Sequence, residues 1–492
     1  MNSKTFLLML GIVSSNIYAQ SPTKPNLLII HTDEHNFRTL GCYRNLMDEN
    51  QAFIWGKNVA LNTPNIDRIA DEGAIYTKYY ATSPVSTPSR ASFMTGLYPV
   101  GTGAYINGYP LREDIMTFAK VLRDNGYATS YVGKWHLCDG DLDRWAPEQN
   151  NGFTDNKYMI NCTHVPYVKV NNLPHDIELM KINAYNQCSD KENIEFLTDF
   201  LTDRTLETLE RDKEKPFCIM LSIPDPHTPD IAKKSDYKEF ENLDFQLPRT
   251  TTLDREYPVW ASNNMDLKNN VAEGGMIASD MVNYFGMVKS IDDNVGRILD
   301  FLDSNNLSYN TIVVFTSDHG DMCFEHNRRN KGIPYEASAR IPYLIRYPNV
   351  VPKGKVVETP TTNADFTPSI LGLMNMPQIE AIQHGMDDSK TLVDRDKFTK
   401  NERTVMVTTY NSLWTMVTDG RHKLITSMTD LPWLLDLEKD PDEIQNFYNN
   451  PKYKEVIKNL TSEMSRQMRI YTEPVPVNGL SKEMLLKMQN LK

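Results

Sequence analysis

Short apolar runs that end in polar clusters recur along this chain. Residues 26–32 read Asn-Leu-Leu-Ile-Ile-His-Thr and lead into the Asp-Glu pair at 33–34. A second apolar run lies at 216–222, and a third at 311–316 continues into Ser-Asp-His-Gly-Asp at 317–321. Short continuous apolar runs are typical of strands buried on both faces of a parallel sheet. We therefore predict three buried strands, two of which deliver acidic residues to one sheet edge.

Helical patterns separate these strands. Thr63 and Pro64 supply an N-cap and a first-turn proline for a helix over 65–70 that stops at Gly73. Apolar residues also recur at helical spacing before the third strand, at Val288, Ile291, Val295, Ile298, Leu299 and Leu302. Helices that alternate with apolar strands predict an α/β fold, with a large, mostly parallel sheet flanked by helices.

The pattern of apolar and polar residues changes near residue 400. Short strand-like pieces lie at 404–409, 414–417, 421–425 and 433–436, and a helical pattern follows at 454–470. These pieces predict a smaller antiparallel sheet covered by one helix. We divide the chain into a signal peptide at 1–19, a catalytic α/β domain at 20–395 and a C-terminal α+β subdomain at 396–492. The polar stretch 230–270 is interpreted as an insertion over the site face.

The first residues predict export. Lys4 precedes the apolar run 6–13, and small and polar residues follow up to Ala19, as in a cleaved secretory signal. A membrane anchor is disfavoured because a span needs about 20 apolar residues. We expect a periplasmic or secreted protein with no membrane span.

Charge and cysteine content narrow the classes of partner. The 492 residues include 52 Lys and Arg against 64 Asp and Glu, a formal net charge of −12, which disfavours nucleic-acid binding. An anionic ligand would therefore need a locally cationic pocket. The six cysteines form no CxxC pair, so neither a zinc ribbon nor a dense disulfide framework is indicated, and one or two bridges remain open.

Two motifs carry candidate chemistry. Residues 86–96 read Ser-Thr-Pro-Ser-Arg-Ala-Ser-Phe-Met-Thr-Gly, which puts a serine at a helix N-terminus that could face an anion, with Arg90 one turn downstream. The alternative is a plain N-capping loop. Residues 126–136 read Gly-Tyr-Ala-Thr-Ser-Tyr-Val-Gly-Lys-Trp-His, so Lys134 and His136 could point into one pocket from an extended segment.

Together these two motifs resemble the paired signatures of the type I, formylglycine-dependent sulfatases of the alkaline-phosphatase-like superfamily. The resemblance covers nearly all of the chain and includes segments at 25–34, 226–229, 311–321, 331–336, 420–425 and 436–441. Within this family, the serine at position 86 makes the chain resemble secreted bacterial carbohydrate sulfatases whose nucleophile is encoded as serine. It implies an alkaline-phosphatase-like fold and a sulfuric ester hydrolase.

The resemblance implies a modified nucleophile. Ser86 matches the residue that a maturation enzyme oxidises to formylglycine, whose hydrate offers one oxygen to attack sulfur and a second hydroxyl to expel sulfate. It also implies one Ca²⁺ per chain, held by Asp33, Glu34, Ser86, Asp318 and His319. The family often has Asp at the position of Glu34 and Asn at that of His319. The histidine leaves Mg²⁺ or a transition metal open.

The remaining implied roles concern the sulfate group. His227 matches the general acid to the leaving alcohol, and Lys134 and Lys331 match cations that hold sulfate. Arg90 matches the residue that holds the formylglycine loop, and His136 matches a partner of the hydrate. Three further residues follow the third strand and have either structural or substrate-contact interpretations: Asp321, Glu325 and His326.

The leading hypothesis is hydrolysis of sulfate monoesters, most simply on a glycan. One alternative is a phosphomonoesterase or phosphodiesterase of the same superfamily with an unmodified Ser86 and two metals, which is disfavoured because Lys134, His136 and Lys331 stand where a second metal would need ligands. Another is a catalytically silent glycan-binding protein. Candidates for substrate contacts are His175, the 230–270 insertion and Arg340.

Overall fold

The computed structural model describes residues 24–140, 142–172, 176–180, 193–251, 257–262, 275–409, 414–427 and 429–472. The predicted signal peptide at 1–19 and His175 lie outside these residues. Within them, no helix is long and apolar enough to cross a bilayer. Five cysteines in this part of the chain form no disulfide: Cys42, Cys138, Cys162, Cys218 and Cys323.

The strands of the described chain are β1 Asn26–Thr32, β2 Ala74–Tyr76, β3 Tyr79–Tyr80, β4 Ala128–Lys134, β5 Asp155–Ile160, β6 Tyr167–Asn172, β7 Asp176–Met180, β8 Ile194–Phe196, β9 Phe217–Ser222, β10 Thr311–Ser317, β11 Tyr343–Arg346, β12 Lys355–Val357, β13 Thr361–Thr362, β14 Phe398–Thr399, β15 Val405–Thr409, β16 Trp414–Thr418, β17 His422–Ser427 and β18 Trp433–Asp436.

The α-helices of the same residues are α1 Gly41–Arg44, α2 Glu49–Ala52, α3 Pro64–Asp71, α4 Ser86–Thr95, α5 Pro99–Thr102, α6 Phe118–Asp124, α7 Leu197–Asp212, α8 Lys234–Phe240, α9 Val259–Ser262, α10 Gly275–Ser304, α11 Glu336–Ala339, α12 Phe366–Leu373, α13 Ser389–Val393 and α14 Lys454–Thr472.

One large sheet organises the fold. Its nine strands have the order β14-β12-β2-β11-β10-β1-β9-β4-β5. Each neighbouring pair is parallel except those of β11, which runs antiparallel to β10 and β2. The predicted mostly parallel sheet is therefore confirmed, with one reversed strand. The three predicted buried strands are β1, β9 and β10, and they lie next to one another.

Helices cover both faces of this sheet. Successive residues of a strand point to opposite faces, and β1 follows this rule along its buried length. Leu27 and Ile29 belong to the apolar cluster with α4, α6 and α12, whereas Leu28 and Ile30 pack with α3, α7 and α10. The stripe predicted from Val288 onward is the second half of the longer helix α10.

The C-terminal region contains the predicted small antiparallel sheet. Strands β15, β16, β17 and β18 pair in sequence order, each antiparallel to the next. Helix α14 covers this sheet through buried contacts that include Leu424, Leu434, Leu460 and Met464. The domain boundary at 396 stays a prediction. Just beyond it, β14 pairs with β12 at the edge of the large sheet.

The described part of the polar stretch 230–270 packs beside α10. Phe240 of α8 joins a buried cluster with Trp55 and Phe285. Thr251 Oγ1 donates a hydrogen bond to the carbonyl of Phe324, 2.6 Å away. This stretch therefore covers the segment that follows β10.

The start of α3 differs from the sequence expectation. Thr63 occupies the N-cap position, but its hydroxyl donates to Asp67 and makes no cap hydrogen bond to the helix backbone. The carboxylate of Asp292 on α10 accepts from the amides of Asn65 and Ile66 at 3.1 and 2.8 Å instead. Replacement of a local cap by a residue far along the chain ties α3 to α10.

We predict that Asp292→Ala lowers the free energy of unfolding by about 1–3 kcal/mol, because two buried amides lose their acceptor. Guanidinium titration measures this change. The neighbouring Asp293 is partly exposed and pairs with Lys289 on the same helix, so Asp293→Ala is the matched control and should change stability little. Equal losses in the two variants would contradict the capping role of Asp292.

Candidate active site

The candidate site forms at the carboxyl ends of four neighbouring parallel strands. Asp33 and Glu34 follow β1, Asp318 and His319 follow β10, and Lys134 is the last residue of β4. All five side chains are buried. Because parallel strands end at one edge of the sheet, residues from distant parts of the sequence meet there.

Arg90 of helix α4 links these strand ends through hydrogen bonds. It lies on the second turn of α4 and is buried. Its guanidinium donates to Asp33 Oδ2 and Asp318 Oδ2, both at 2.9 Å. It also donates to the carbonyl of Lys134 at 3.1 Å and to Ser222 Oγ at 2.8 Å. One planar cation thus positions residues from β1, β4, β9 and β10.

Two lysines complete the cationic side of the site. Lys134 Nζ lies 2.5 Å from Asp33 Oδ2, and Lys331 Nζ lies 3.1 Å from Glu34 Oε2. Each ammonium also contacts a histidine: Lys134 Nζ is 2.6 Å from His164 Nε2, and Lys331 Nζ is 2.6 Å from His227 Nε2. This chain of −12 net charge therefore brings three cations together at one site, where they pair with three buried carboxylates.

The pKa values of the two carboxylates that follow β1 shift in opposite directions. Burial alone would raise the pKa of Asp33, but Lys134 and Arg90 hold that pKa well below its ordinary value. Burial raises the pKa of Glu34 well above its ordinary value, and the charge of Lys331 opposes this rise without offsetting it. Glu34 is therefore the carboxylate that lacks a sufficient counter-charge.

Ser86 is buried beside this cluster. It is the first residue of α4, and its Oγ is 3.0 Å from His319 Nε2. The helix N-cap is Val85, so the Ser86 hydroxyl is directed to the site and does not cap the helix. The alternative interpretation of a capping loop is wrong for this reason.

His227 lies next to Glu34 and Lys331. Its Nδ1 is 2.7 Å from the carbonyl of Thr228, which fixes Nδ1 as the protonated nitrogen. Nε2 then faces Lys331 and, at 3.0 Å, Glu34 Oε2. Burial and Lys331 lower the pKa of His227 well below its ordinary value.

His164 is a site residue that the sequence did not indicate. Its ring stacks on His227 with a centroid separation of 3.8 Å and an interplanar angle of 7°. It thus bridges His227 and Lys134. His164 follows β5 in a stretch without a recognisable motif, and its proximity depends on the tertiary fold.

His136 differs from the extended arrangement expected for it. Its φ is 60°, so the chain turns immediately after β4. Thr87 Oγ1 donates to the His136 carbonyl at 3.0 Å, which ties this turn to the Ser86 segment. Burial and Lys134 lower the pKa of its imidazole well below the ordinary value.

The oxygen-rich cluster suits a hard cation. Ligand atoms of Asp33, Asp318 and His319 lie within 4.8 Å of one another, as do those of Asp33, Glu34 and His227. Asp33 Oδ1 and Glu34 Oε1 are buried and accept no hydrogen bond from the described residues. Buried carboxylate oxygens without donors are the ligands that Ca²⁺ prefers.

Other candidates from the sequence have structural contacts outside this constellation. Asp321 accepts from the amide of Cys323 at 2.6 Å. Glu325 pairs with Arg38 at 2.9 Å, and the ring of His326 stacks on a tyrosine. Arg340 lies over the ring of Phe37.

Comparison with known proteins agrees with this site. The sulfatase family model matches residues 25–376, and a model of the N-sulphoglucosamine sulphohydrolase C-terminal region matches 324–469. An ulvan-active sulfatase of Formosa agariphila is 28% identical over 391 residues, covering 78% of this chain and 68% of the relative. An N-acetylglucosamine-6-O-sulfatase of Bacteroides thetaiotaomicron is 25% identical over 555 residues, covering 96% and 92% of the two chains.

Solved structures share the fold. One, described as bound to its substrate D-glucosamine-2-N,6-O-disulfate, superimposes with a TM-score of 0.73 at 23% identity, covering 92% of this chain and 99% of the other. A phosphonate monoester hydrolase of Agrobacterium radiobacter superimposes with a TM-score of 0.71 at 19% identity, covering 91% and 96%.

The family match, together with the mostly parallel sheet that carries buried acids and cations at its strand ends, identifies a hydrolase of the alkaline-phosphatase-like superfamily. Within that class, the family match extends over most of the sequence and includes the segments that contain Asp33, Ser86, His227 and Asp318. The chain belongs to the sulfatase family and is a sulfuric ester hydrolase.

We predict that Arg90→Ala destabilises the protein by about 3–5 kcal/mol in the presence of EDTA, because two wholly buried carboxylates lose their shared counter-charge. Chemical denaturation measures this loss. The control is Arg112→Ala, which removes an exposed pairing with Asp114 and should have little effect. A similar response of both variants would show that Arg90 is not the counter-charge on which the site depends.

Proposed function

We propose that this chain hydrolyses an O-sulfate ester on a glycan, with Ser86 oxidised to formylglycine, one bound Ca²⁺ and His227 as general acid. The observation that carries the proposal is the position of Ser86 Oγ, 3.0 Å from His319, beside carboxylates and cations from the ends of β1, β4 and β10 and from α4. The names of the two relatives, both sulfatases of sulfated glycans or their sugars, support the glycan as substrate. The signal-like segment 1–19 supports action outside the cytoplasm.

The cations of the site bind the sulfate group in this proposal. Lys134 and Lys331 each carry an ammonium with three donors, and each ammonium lies beside a carboxylate of the site. Arg90 holds Asp33 and Asp318 in place with its fork of donors and so keeps the strand ends aligned. A bound Ca²⁺ would be held by Asp33, Glu34, Asp318 and His319 and would neutralise charge on the sulfate oxygens.

The proton for the leaving alcohol comes from His227. Its Nδ1–H is committed to the Thr228 carbonyl, so Nε2 is the atom that carries the transferable proton. An anionic ester near Lys331 offsets the positive charge that lowers the His227 pKa, and thereby favours the protonated ring. Formylglycine at position 86 supplies an attacking hydroxyl and a second hydroxyl through which sulfate departs.

Mass spectrometry of the tryptic peptide 79–90 tests the modification directly. Oxidation of Ser86 to formylglycine removes two hydrogens, about 2 Da, and its hydrate adds one water. We expect the oxidised peptide in protein from the native host. A peptide that carries only unmodified serine, in protein without sulfatase activity, would favour the glycan-binding alternative. Unmodified serine in an active phosphatase would favour the phosphoesterase alternative.

We predict that Ser86→Ala abolishes sulfate release and leaves thermal stability nearly unchanged, because this side chain contributes to chemistry and not to packing. Ser92→Ala is the matched control, since Ser92 lies on the same helix and its buried hydroxyl has no partner among the described residues. Sulfate release by ion chromatography is the measurement. Turnover by Ser86→Ala within about tenfold of wild type would refute the nucleophile assignment.

We predict that Asp318→Asn lowers the bound Ca²⁺ content, because the site loses one charged ligand. Elemental analysis after gel filtration measures the metal per chain. Asp321→Asn is the control, since Asp321 is also buried close by but belongs to neither candidate ligand group. Full Ca²⁺ occupancy in Asp318→Asn would place the cation elsewhere.

We predict that His227→Ala slows release of a sugar hydroxyl by about 10²–10⁴-fold and slows release of a nitrophenolate clearly less, because the phenolate leaves without a proton. The measured quantity is kcat for an N-acetylglucosamine 6-sulfate and for an aryl sulfate. His164→Ala removes the ring that stacks on His227 and contacts Lys134 but donates no proton to the leaving group, so it should affect both esters equally. Equal losses in His227→Ala with raised KM alone would make His227 a binding residue.

A further inference from the structure

A second cavity lies between the large sheet and the C-terminal sheet. Its volume is about 430 Å³, and none of the residues of the candidate active site lines it. Lys78 enters from the segment between β2 and β3, Arg340 from the residue after α11, and Gly420 from the turn between β16 and β17. The two sheets thus build this cavity jointly.

The lining of the cavity is predominantly cationic. Five basic and three acidic side chains contribute to it. Some of this charge is already neutralised: Arg38 pairs with Glu325 at 2.9 Å, and Glu336 pairs with Lys423 at 2.7 Å. Arg421 is paired as well, with Asp436 at 3.0 Å.

Two cations remain without a full counter-charge. Lys78 is partly buried, and its ammonium forms no ion pair or hydrogen bond with the described residues. Arg340 reaches Glu336 only at 3.5 Å, and its Nε is buried without an acceptor in the described chain. The Arg340 guanidinium lies 4.2 Å from the centroid of the Phe37 ring, which holds it in place.

The backbone is shaped around Lys78. Gly420 has a φ of +87°, and a Cβ added there would lie 2.7 Å from Lys78 Cδ. Because Gly420 has no Cβ, the turn between β16 and β17 can pack directly against the aliphatic part of the Lys78 side chain. Burial lowers the Lys78 pKa, and nearby Lys400 and Arg340 add to this effect while acidic neighbours oppose it. An anion near the ammonium would relieve the cost of burying an unpaired charge.

We propose that this cavity binds an anionic sugar unit, with the carboxylate or sulfate between Lys78 and Arg340. Leu46, which is exposed, and Met47, which is partly exposed, line the same cavity and give an apolar surface for the face of the sugar ring. Its volume is that of a small-molecule site, which is about 300–1,000 Å³. The site uses no residue of the Ser86 cluster. The proposal therefore goes beyond the proposed hydrolysis and can be tested independently of it.

Isothermal titration of the Ser86→Ala chain tests this site without turnover. The probe is D-glucuronate, which carries no sulfate for the Ser86 cluster, and D-glucose and acetate are the controls for the sugar and for the anion. We expect D-glucuronate to bind, and Lys78→Met or Arg340→Ala to weaken that binding by about tenfold or more, since each removes a charged hydrogen-bond donor. Lys353→Ala removes one exposed lysine elsewhere and should leave binding unchanged.

Lys78→Met keeps the apolar stem, so it is the deciding variant if Arg340→Ala fails to fold. With Ser86 restored, Lys78→Met should retain wild-type turnover of a small aryl sulfate, which separates this cavity from the catalytic site. The proposal is overturned if D-glucuronate does not bind, if its binding survives Lys78→Met, or if acetate binds as tightly as D-glucuronate.

Discussion

The site depends on the neutralisation of carboxylates that the fold buries completely. Asp33, Glu34 and Asp318 lie at the ends of β1 and β10, where none of their side chains is exposed. A buried carboxylate is strongly unfavourable unless a cation and hydrogen-bond donors accompany it. Arg90, Lys134 and Lys331 supply that charge, so α4, β4 and the segment before α11 must all converge on this edge of the sheet.

The same balance explains why the site suits an anionic ester and a divalent cation together. Two carboxylate oxygens have no donor in the described structure, and Glu34 is only weakly neutralised. In the proposed function, these oxygens would hold a cation, and the charge of that cation would leave Lys134 and Lys331 less strongly bound by the carboxylates. Both ammonium groups would then be available to sulfate, so the metal and the ester would favour each other's binding.

Much of the fold was predictable because its signals are local. The apolar runs of β1, β9 and β10, the stripe of α10 and the short strands of the C-terminal sheet follow from neighbouring residues alone. The strand pattern alone predicted that the acids after β1 and β10 share one sheet edge. The roles of the candidate site residues were predictable only through the resemblance to sulfatases, because no local pattern assigns a role to a buried serine, lysine or histidine.

The remaining features depend on contacts between distant segments. Asp292 caps α3 from another helix, His164 reaches the site from the loop after β5, and Lys78 meets Gly420 across two sheets. Each of these residue types is unremarkable in its own stretch of sequence. Only the packing of α10, of β5 and of the C-terminal sheet gives each one its role.

The most direct test of this account is a crystal structure of the Ser86→Ala chain grown with Ca²⁺ and soaked with a 6-sulfated glucosamine. We expect a calcium ion bound by Asp33, Glu34 and Asp318, and the sulfate group within hydrogen-bond distance of Lys134 and Lys331. Density for the sulfate at a place remote from both lysines, with these carboxylates still paired only to protein cations, would contradict the account.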